Sequence, residues 1–172
     1  MKLLKTGVAA LALVAAHSSF AADATLNFTG TIILPTCTVD TDSVNQTITL
    51  QQAKTTDFAA VGATNSAQAF NVKLVSCAAG TNIGMTVNGT IDTVASVPKN
   101  TGTAAQVGVQ LLKATNVGDS TGSPLALNSA LTLGAADASG SMTVPMVAQY
   151  YRLGTMTGGT VTASATVNFT YN

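Results

Sequence analysis

Apolar and polar residues alternate one by one at the C-terminal end of this chain. From Thr160 to Asn172 (TVTASATVNFTYN), Val161, Ala163, Ala165, Val167, Phe169 and Tyr171 share one parity. Thr160, Thr162, Ser164, Thr166, Asn168, Thr170 and Asn172 share the other. Side chains of a strand alternate faces with a period of two, so the pattern predicts a long β-strand with one buried and one wet face. No residue follows in this sequence to pair with its free edge, and long apolar edges recruit other chains unless something covers them.

The second clear alternation is Ala22–Leu34 (ADATLNFTGTIIL). Leu26, Phe28, Gly30 and Ile32 lie on one face, with Thr25, Asn27, Thr29 and Thr31 on the other, and Pro35 ends the ladder. Between these two stretches the same reasoning predicts strands at Gln46–Leu50, Ala69–Cys77, Ile83–Val87 and Ile91–Val97. Further strands are expected at Val107–Lys113, within Leu125–Leu133, and at Ser141–Leu153. Pro145 interrupts the last of these, which predicts a bulge or an unpaired position there. Gln51–Phe58 loses the alternation and is expected to form a turn or short helix. Asn88-Gly89 and Gly154–Gly159 read as turns. About eight short strands with turn signals between them predict an all-β Greek-key sandwich of immunoglobulin-like type. No heptad, repeat or internal domain boundary is visible.

Composition sharpens this picture. Of 172 residues only 8% are charged, 28 are threonine, and Glu and Trp are absent. Such a chain favours strands and a neutral, hydroxyl-rich surface. The first residues stand apart. Lys2 and Lys5 precede an apolar run, Gly7–Ala16, too short to span a bilayer, and Ser19-Phe20-Ala21 offers small residues at the positions a signal peptidase reads. A leader over residues 1–21 is expected, cleaved after Ala21 or, alternatively, after Ala22. Its removal takes away His17, the only histidine, and leaves five cationic side chains against seven aspartates, a net charge of −2. That balance argues against nucleic acid and against an anionic membrane surface as partners. In an exported chain an even cysteine count suggests that Cys37 and Cys77 form a disulfide, with two free structural thiols as the alternative.

Catalytic patterns are weak. Without histidine there is no Ser/His/Asp or Cys/His arrangement. Asp119-Ser-Thr-Gly resembles an aspartic-protease loop, but that chemistry needs a second carboxylate sharing the proton, and no second copy exists. Asp40 and Asp42 have the spacing of a calcium loop without the glycine and glutamate that complete it, so solvated turn residues are the better reading. Neither a metal site nor an enzyme is expected. What remains is the pair of terminal strands. Either they pair within one ordinary sandwich, or the first strand leaves its own domain and adds to the last strand of a neighbour.

At this point the chain resembles the structural pilins of the chaperone–usher route, of the type 1 and P pilus kind. The start ADATLNFTG looks like a pilin donor extension with its glycine. Gln46–Leu50 and Phe70-x-Val72-x-Leu74-x-x-Cys77 look like the stretches leading to the family's second cysteine. Gly108-Val109-Gln110-Leu111 and Val144-Pro145 through Ala148-Gln149-Tyr150 look like its later core strands. The end carries the family's penultimate tyrosine, Tyr171, and a glycine, Gly159, fourteenth from the terminus.

The resemblance implies an incomplete immunoglobulin-like sandwich lacking its last strand and completed by donor-strand complementation. It divides the chain into a signal peptide (1–21), a donor extension (22–33) and a pilin domain (34–172). Leu26, Phe28, Gly30 and Ile32 are the implied donor residues. Gly159, Val161, Ala163, Ala165, Val167, Phe169 and Tyr171 form the implied acceptor and chaperone-binding strand. The implied partners are other pilin subunits, a periplasmic chaperone and an outer-membrane usher, with a host receptor left open. The implied location is a surface fimbrium reached through the periplasm, and no cofactor is implied. The extension before Phe28 is short for the family. The competing reading is a secreted monomeric carbohydrate-binding β-sandwich, which would have a self-sufficient fold.

Overall fold

The computed structural model describes residues 26–31 and 37–172. The chain divides into two units, Met1–Ile33 and Leu34–Asn172. In the first unit the described residues have no regular secondary structure.

The second unit is a sandwich of two antiparallel sheets. Its strands are β1 (Thr38–Val39), β2 (Thr64–Val75), β3 (Asn82–Asn88), β4 (Val107–Lys113), β5 (Ser123–Pro124), β6 (Ala130–Ala135), β7 (Met142–Arg152) and β8 (Thr166–Tyr171). One sheet has the order β1-β2-β7-β4-β5 and the other β6-β3-β8. Single 3-10 turns at Thr41–Ser43 and Thr55–Asp57 complete the regular structure among the described residues. The turn at Thr55–Asp57 falls inside the stretch where alternation is lost.

The core forms where the inward parities of the two sheets meet. Val72, Val144 and Met146 of the larger sheet pack with Met85 and Val87 of β3, and Leu111, Leu125 and Leu127 close one side. A second cluster holds Leu74, Ile83 and Ala136 around the bonded pair Cys37–Cys77, with Tyr171 packed against it. The last residue of β8's ladder lies at this disulfide end of the domain, beside the start of β3. Asn82 and Asn172 exchange both backbone hydrogen bonds at 2.9 Å.

Three expectations from the alternation need correction, and a fourth, at Pro145, is met in one of its two forms. Gln46–Leu50 is not a strand. Ile48 and Leu50 are half-buried and Thr47 and Thr49 exposed, so its alternation survives, but it has no ladder partner among the described residues. Ile91–Val97 reduces to a single bridge between Ile91 and Pro98 around a bend. Pro145 causes no bulge. It pairs with Asn71 in an unbroken register, and the irregularity of β2 lies between Asn65 and Gln68. The expected unpaired position is nevertheless present. Ala114 N–H donates to the Pro145 carbonyl (3.0 Å), so the proline nitrogen faces the same way, past the Lys113 end of β4. Finally, the long terminal strand is a ladder only over Thr166–Tyr171, because β3 ends at Asn88, opposite Thr166.

Candidate functional site

β8 is an outer strand of its sheet, and the phase of its ladder decides what its open edge offers. Doubly bonded and non-bonded pairs alternate along an antiparallel ladder. The reciprocal bonds of Asn82 and Asn172 therefore turn Thr170, Asn168 and Thr166 toward β3. Val167, Phe169 and Tyr171 turn their N–H and C=O groups to the other side, where no strand lies among the described residues.

The preceding stretch, 160–165, keeps the same phase by other means. Here the loop at 100–104 takes over from β3. Ala104 N–H donates to the Thr160 carbonyl (3.0 Å) and Thr101 N–H to the Thr162 carbonyl (2.8 Å). Thr160 and Thr162 are thus engaged, and Val161 and Ala163 between and beside them face the open edge.

The side chains of those same odd positions are the apolar ones. Val161, Ala163, Val167, Phe169 and Tyr171 are half-buried and Ala165 is exposed. None is fully buried, although each points toward the inter-sheet space. Partial burial pushes the Tyr171 phenol above its ordinary value of 10. Val161, Ala163, Ala165, Val167 and Phe169 form one wall of a groove of about 930 Å³, with Phe70, Val109, Leu111 and Met146 in its floor, while Tyr171 packs against the disulfide cluster.

The opposite wall is the stretch 43–50. From Asn45 to Ala53 no backbone–backbone hydrogen bond is made to any described residue. Gln46 Nε2 donates to the Asn71 carbonyl (2.7 Å), and Ile48 and Leu50 rest on the core. Both walls therefore carry main chain without a backbone partner among the described residues. Backbone groups inside a protein are nearly always paired, so a groove lined this way on two sides is suited to an added strand.

Gly159 sits at the entrance to the acceptor stretch for a steric reason. A Cβ there would fall 2.6 Å from the Ala104 nitrogen, so only glycine allows this approach of two backbones. Of the expected donor residues, Leu26 is 76% and Phe28 89% exposed, and a Cβ on Gly30 would meet nothing within 4 Å. Ile32, Pro35 and the leader lie outside the described residues. Of the acceptor residues, Val161, Ala163, Ala165, Val167 and Phe169 come together in one wall, with Gly159 against Thr103 and Ala104 and Tyr171 at the disulfide cluster. The donor residues belong to the other unit.

The remaining carboxylates have local roles. Asp40 Oδ1 accepts from Asp42 N–H (3.2 Å) at the first 3-10 turn, and Asp119 Oδ2 accepts from the Asn116 backbone (2.8 Å) and side chain (3.2 Å). Asp137 accepts from the hydroxyls and backbone N–H groups of Ser139 and Ser141, and these bonds lower its pKa from 3.8 to about 2. Two features escaped the sequence pattern: the groove wall at 45–50 without a backbone partner among the described residues, and the 100–104 loop that holds Thr160 and Thr162 from outside the groove. The second had a faint signal, because Gly102 and Gly159 both meet the backbone they approach too closely for any side chain.

The family model described as Fimbrial protein matches residues 26–172. A type-1 fimbrial protein A chain of Escherichia coli is 34% identical over 157 residues, covering 86% of this chain and 82% of that protein. The fimbrial subunit type 1 of Klebsiella pneumoniae is 34% identical over 156 residues with the same coverage. Among solved structures, a type I fimbria protein and antigen of Burkholderia pseudomallei superposes with a TM-score of 0.57 at 28% identity, covering 86% of this chain and 95% of that one. The P pilus rod subunit superposes with a TM-score of 0.64 at 17% identity, a likeness of fold covering 80% of this chain and 100% of that one.

Proposed function

Because this chain belongs to the fimbrial protein family and is a structural subunit of a surface pilus, we propose that it polymerises by donor-strand exchange. The extension 22–33 of one subunit enters the groove of the next, with Leu26, Phe28 and Ile32 inward and Gly30 at a shallow point. The acceptor is the edge formed by Gly159, Val161, Ala163, Ala165, Val167, Phe169 and Tyr171.

One observation carries this reading. The residues that aim apolar side chains into the groove are the same residues whose backbone groups face its open edge. The opposite phase would leave the edge free but polar. An inserted strand would gain a main-chain ladder on the β8 side and meet unpaired main chain at 45–53 on the other. Each large side chain it buries would contribute roughly 1.5–3 kcal/mol. A self-sufficient monomeric sandwich would leave this apolar wall without a purpose.

The same groove is where a periplasmic chaperone would hold the subunit before an outer-membrane usher passes it to its neighbour. The leader 1–21 would direct the chain into the periplasm. Nothing in this role requires a reacting group, and the role is non-enzymatic.

The test is a variant in which a copy of Ala22–Ile33 follows Asn172 through a flexible linker, with residues 22–31 removed from the front. We expect a soluble monomer, resistant to heat, that neither polymerises nor accepts a free donor peptide. Equal stability with the added copy and with a copy carrying aspartate at the Leu26 and Phe28 positions would overturn the reading.

A further inference from the structure

The acceptor edge is supported differently along its length, and this points to a residue outside the groove. Over 166–171 the β3 ladder holds it in place. Over 160–162 that support comes from the 100–104 loop, and Asn100 organises the loop. Its Oδ1 accepts from Gly102 N–H (2.8 Å) and from Thr162 N–H (2.9 Å), while its Nδ2 donates to the Ala104 carbonyl (2.8 Å). One half-buried side chain thus folds the loop on itself and grips the acceptor backbone. Thr103 adds a second grip, its hydroxyl accepting from Thr160 N–H (2.9 Å). Gly102 and Gly159 allow the two backbones to approach closely enough for both.

We propose that Asn100 is a positioning residue for strand capture, fixing the phase of the first half of the acceptor edge. This rests on the donor-strand reading above. Without a ladder partner, the stretch 160–165 is free to rotate about its axis or to collapse Val161 and Ala163 into the open groove. Binding Thr162 N–H at an even position leaves its neighbours 161 and 163 facing the edge. The incoming strand then meets one continuous row of pairing groups from Val161 to Tyr171, already in phase.

The experiment uses the leader-free chain, dilute enough to remain monomeric, and a fluorescent synthetic peptide of Ala22–Ile33 in excess. Capture is followed by anisotropy, and the product by amide exchange at the odd positions. For Asn100→Ala we expect capture to slow roughly ten-fold, the size expected from losing about one strong hydrogen bond to the edge. In its product the amides of Val161, Ala163 and Ala165 should exchange freely, while those of Val167, Phe169 and Tyr171 stay protected. Thr103→Ala, at an exposed position that does not threaten folding, should show the same regional loss to a smaller degree. Thr157→Ala removes a bond from the same loop (to Ala105 N–H, 2.9 Å) without touching the edge, and should match the wild type. Wild-type capture with Asn100→Ala and Thr103→Ala indistinguishable from it would overturn the proposal alone. Uniform loss of protection at all six odd positions would also overturn it, because that is what a merely structural role gives. A wild-type chain that captures no peptide would overturn the donor-strand reading and this inference with it.

Discussion

Truncating Phe28 to alanine separates the two states that donor-strand exchange requires of one side chain. In the lone subunit Phe28 is 89% exposed. Removing an exposed side chain that makes no specific contact costs within about 0.5 kcal/mol, so the stability of the subunit should not change. Once buried in a neighbour's groove, the same ring has a different value. Simple transfer from water gives roughly 1.5–3 kcal/mol, and truncating phenylalanine in a formed core costs about 3–5 kcal/mol. The groove is open and its 43–50 wall can relax, so a value between the two applies, about 2–4 kcal/mol per junction. That is about 30- to 1,000-fold in the dissociation constant, expressed mainly in the off-rate. The assay compares wild-type and Phe28→Ala donor peptides leaving the same acceptor, beside thermal melting of the two full chains. Asn27→Ala, on the opposite parity, serves as the control and should be near neutral. Equal off-rates for the two peptides would refute the reasoning. So would a Phe28→Ala chain whose own melting temperature falls as much as its junction weakens, because the ring would then be serving its own fold.

Gly30→Leu should leave the lone subunit unchanged, because nothing lies within 4 Å of its Cβ direction. It should cut fibre yield in a sedimentation assay by overpacking the groove, and an undiminished yield would show that position 30 meets open space there as well. Replacing Cys37 and Cys77 together by serine opens a loop with a sequence separation of 40. The denaturant midpoint should fall by an amount equivalent to about 4 kcal/mol in the chain-entropy model, and a loss under about 1 kcal/mol would contradict it. Asp137 has a folded-state pKa below its ordinary value, so its contribution is present above 3.8 and is lost as pH falls toward about 2. Amide protection at Ser139 and Ser141 should fall across that window in the wild type, and a flat profile would place the support of this turn elsewhere.

The period-two reading identified most of the strands that bury one face against a partner, including β3, β4 and β7. It failed where burial and pairing come apart. Gln46–Leu50 alternates because Ile48 and Leu50 rest on the core, yet alternation reports which side chains are covered and says nothing about whether a neighbour's backbone lies alongside. The same gap explains the terminal stretch. Its apolar face was legible over its full length, but the ladder covers only Thr166–Tyr171, because the end of β3 depends on the turn after Asn88. The segment 99–104 (KNTGTA) shows no alternation at all. The grip of Asn100 on Thr162 spans 62 positions of sequence, and no local periodicity carries such a contact.

The geometry of the groove bears on the form of the assembly. An acceptor edge at the C-terminal end of the chain and a donor segment at its N-terminal end are different surfaces, so a junction between them is heterologous. Such contacts close into rings only if the rotation between neighbours returns on itself, and otherwise generate open filaments. An isologous dimer would need the β8 edge to pair with its own copy. Two antiparallel copies of that edge would each bring Val167, Phe169 and Tyr171 into register, but both copies would still lack a strand over the floor at Val109 and Leu111, because each apolar wall already belongs to its own sandwich. A donor strand supplies what a second edge cannot, which is a set of apolar side chains with no sandwich of their own. Leu26 and Phe28, exposed and outside regular structure, meet that description. Under the donor-strand proposal the open groove favours linear growth over pairing, and one uncovered acceptor would remain at one end of each fibre.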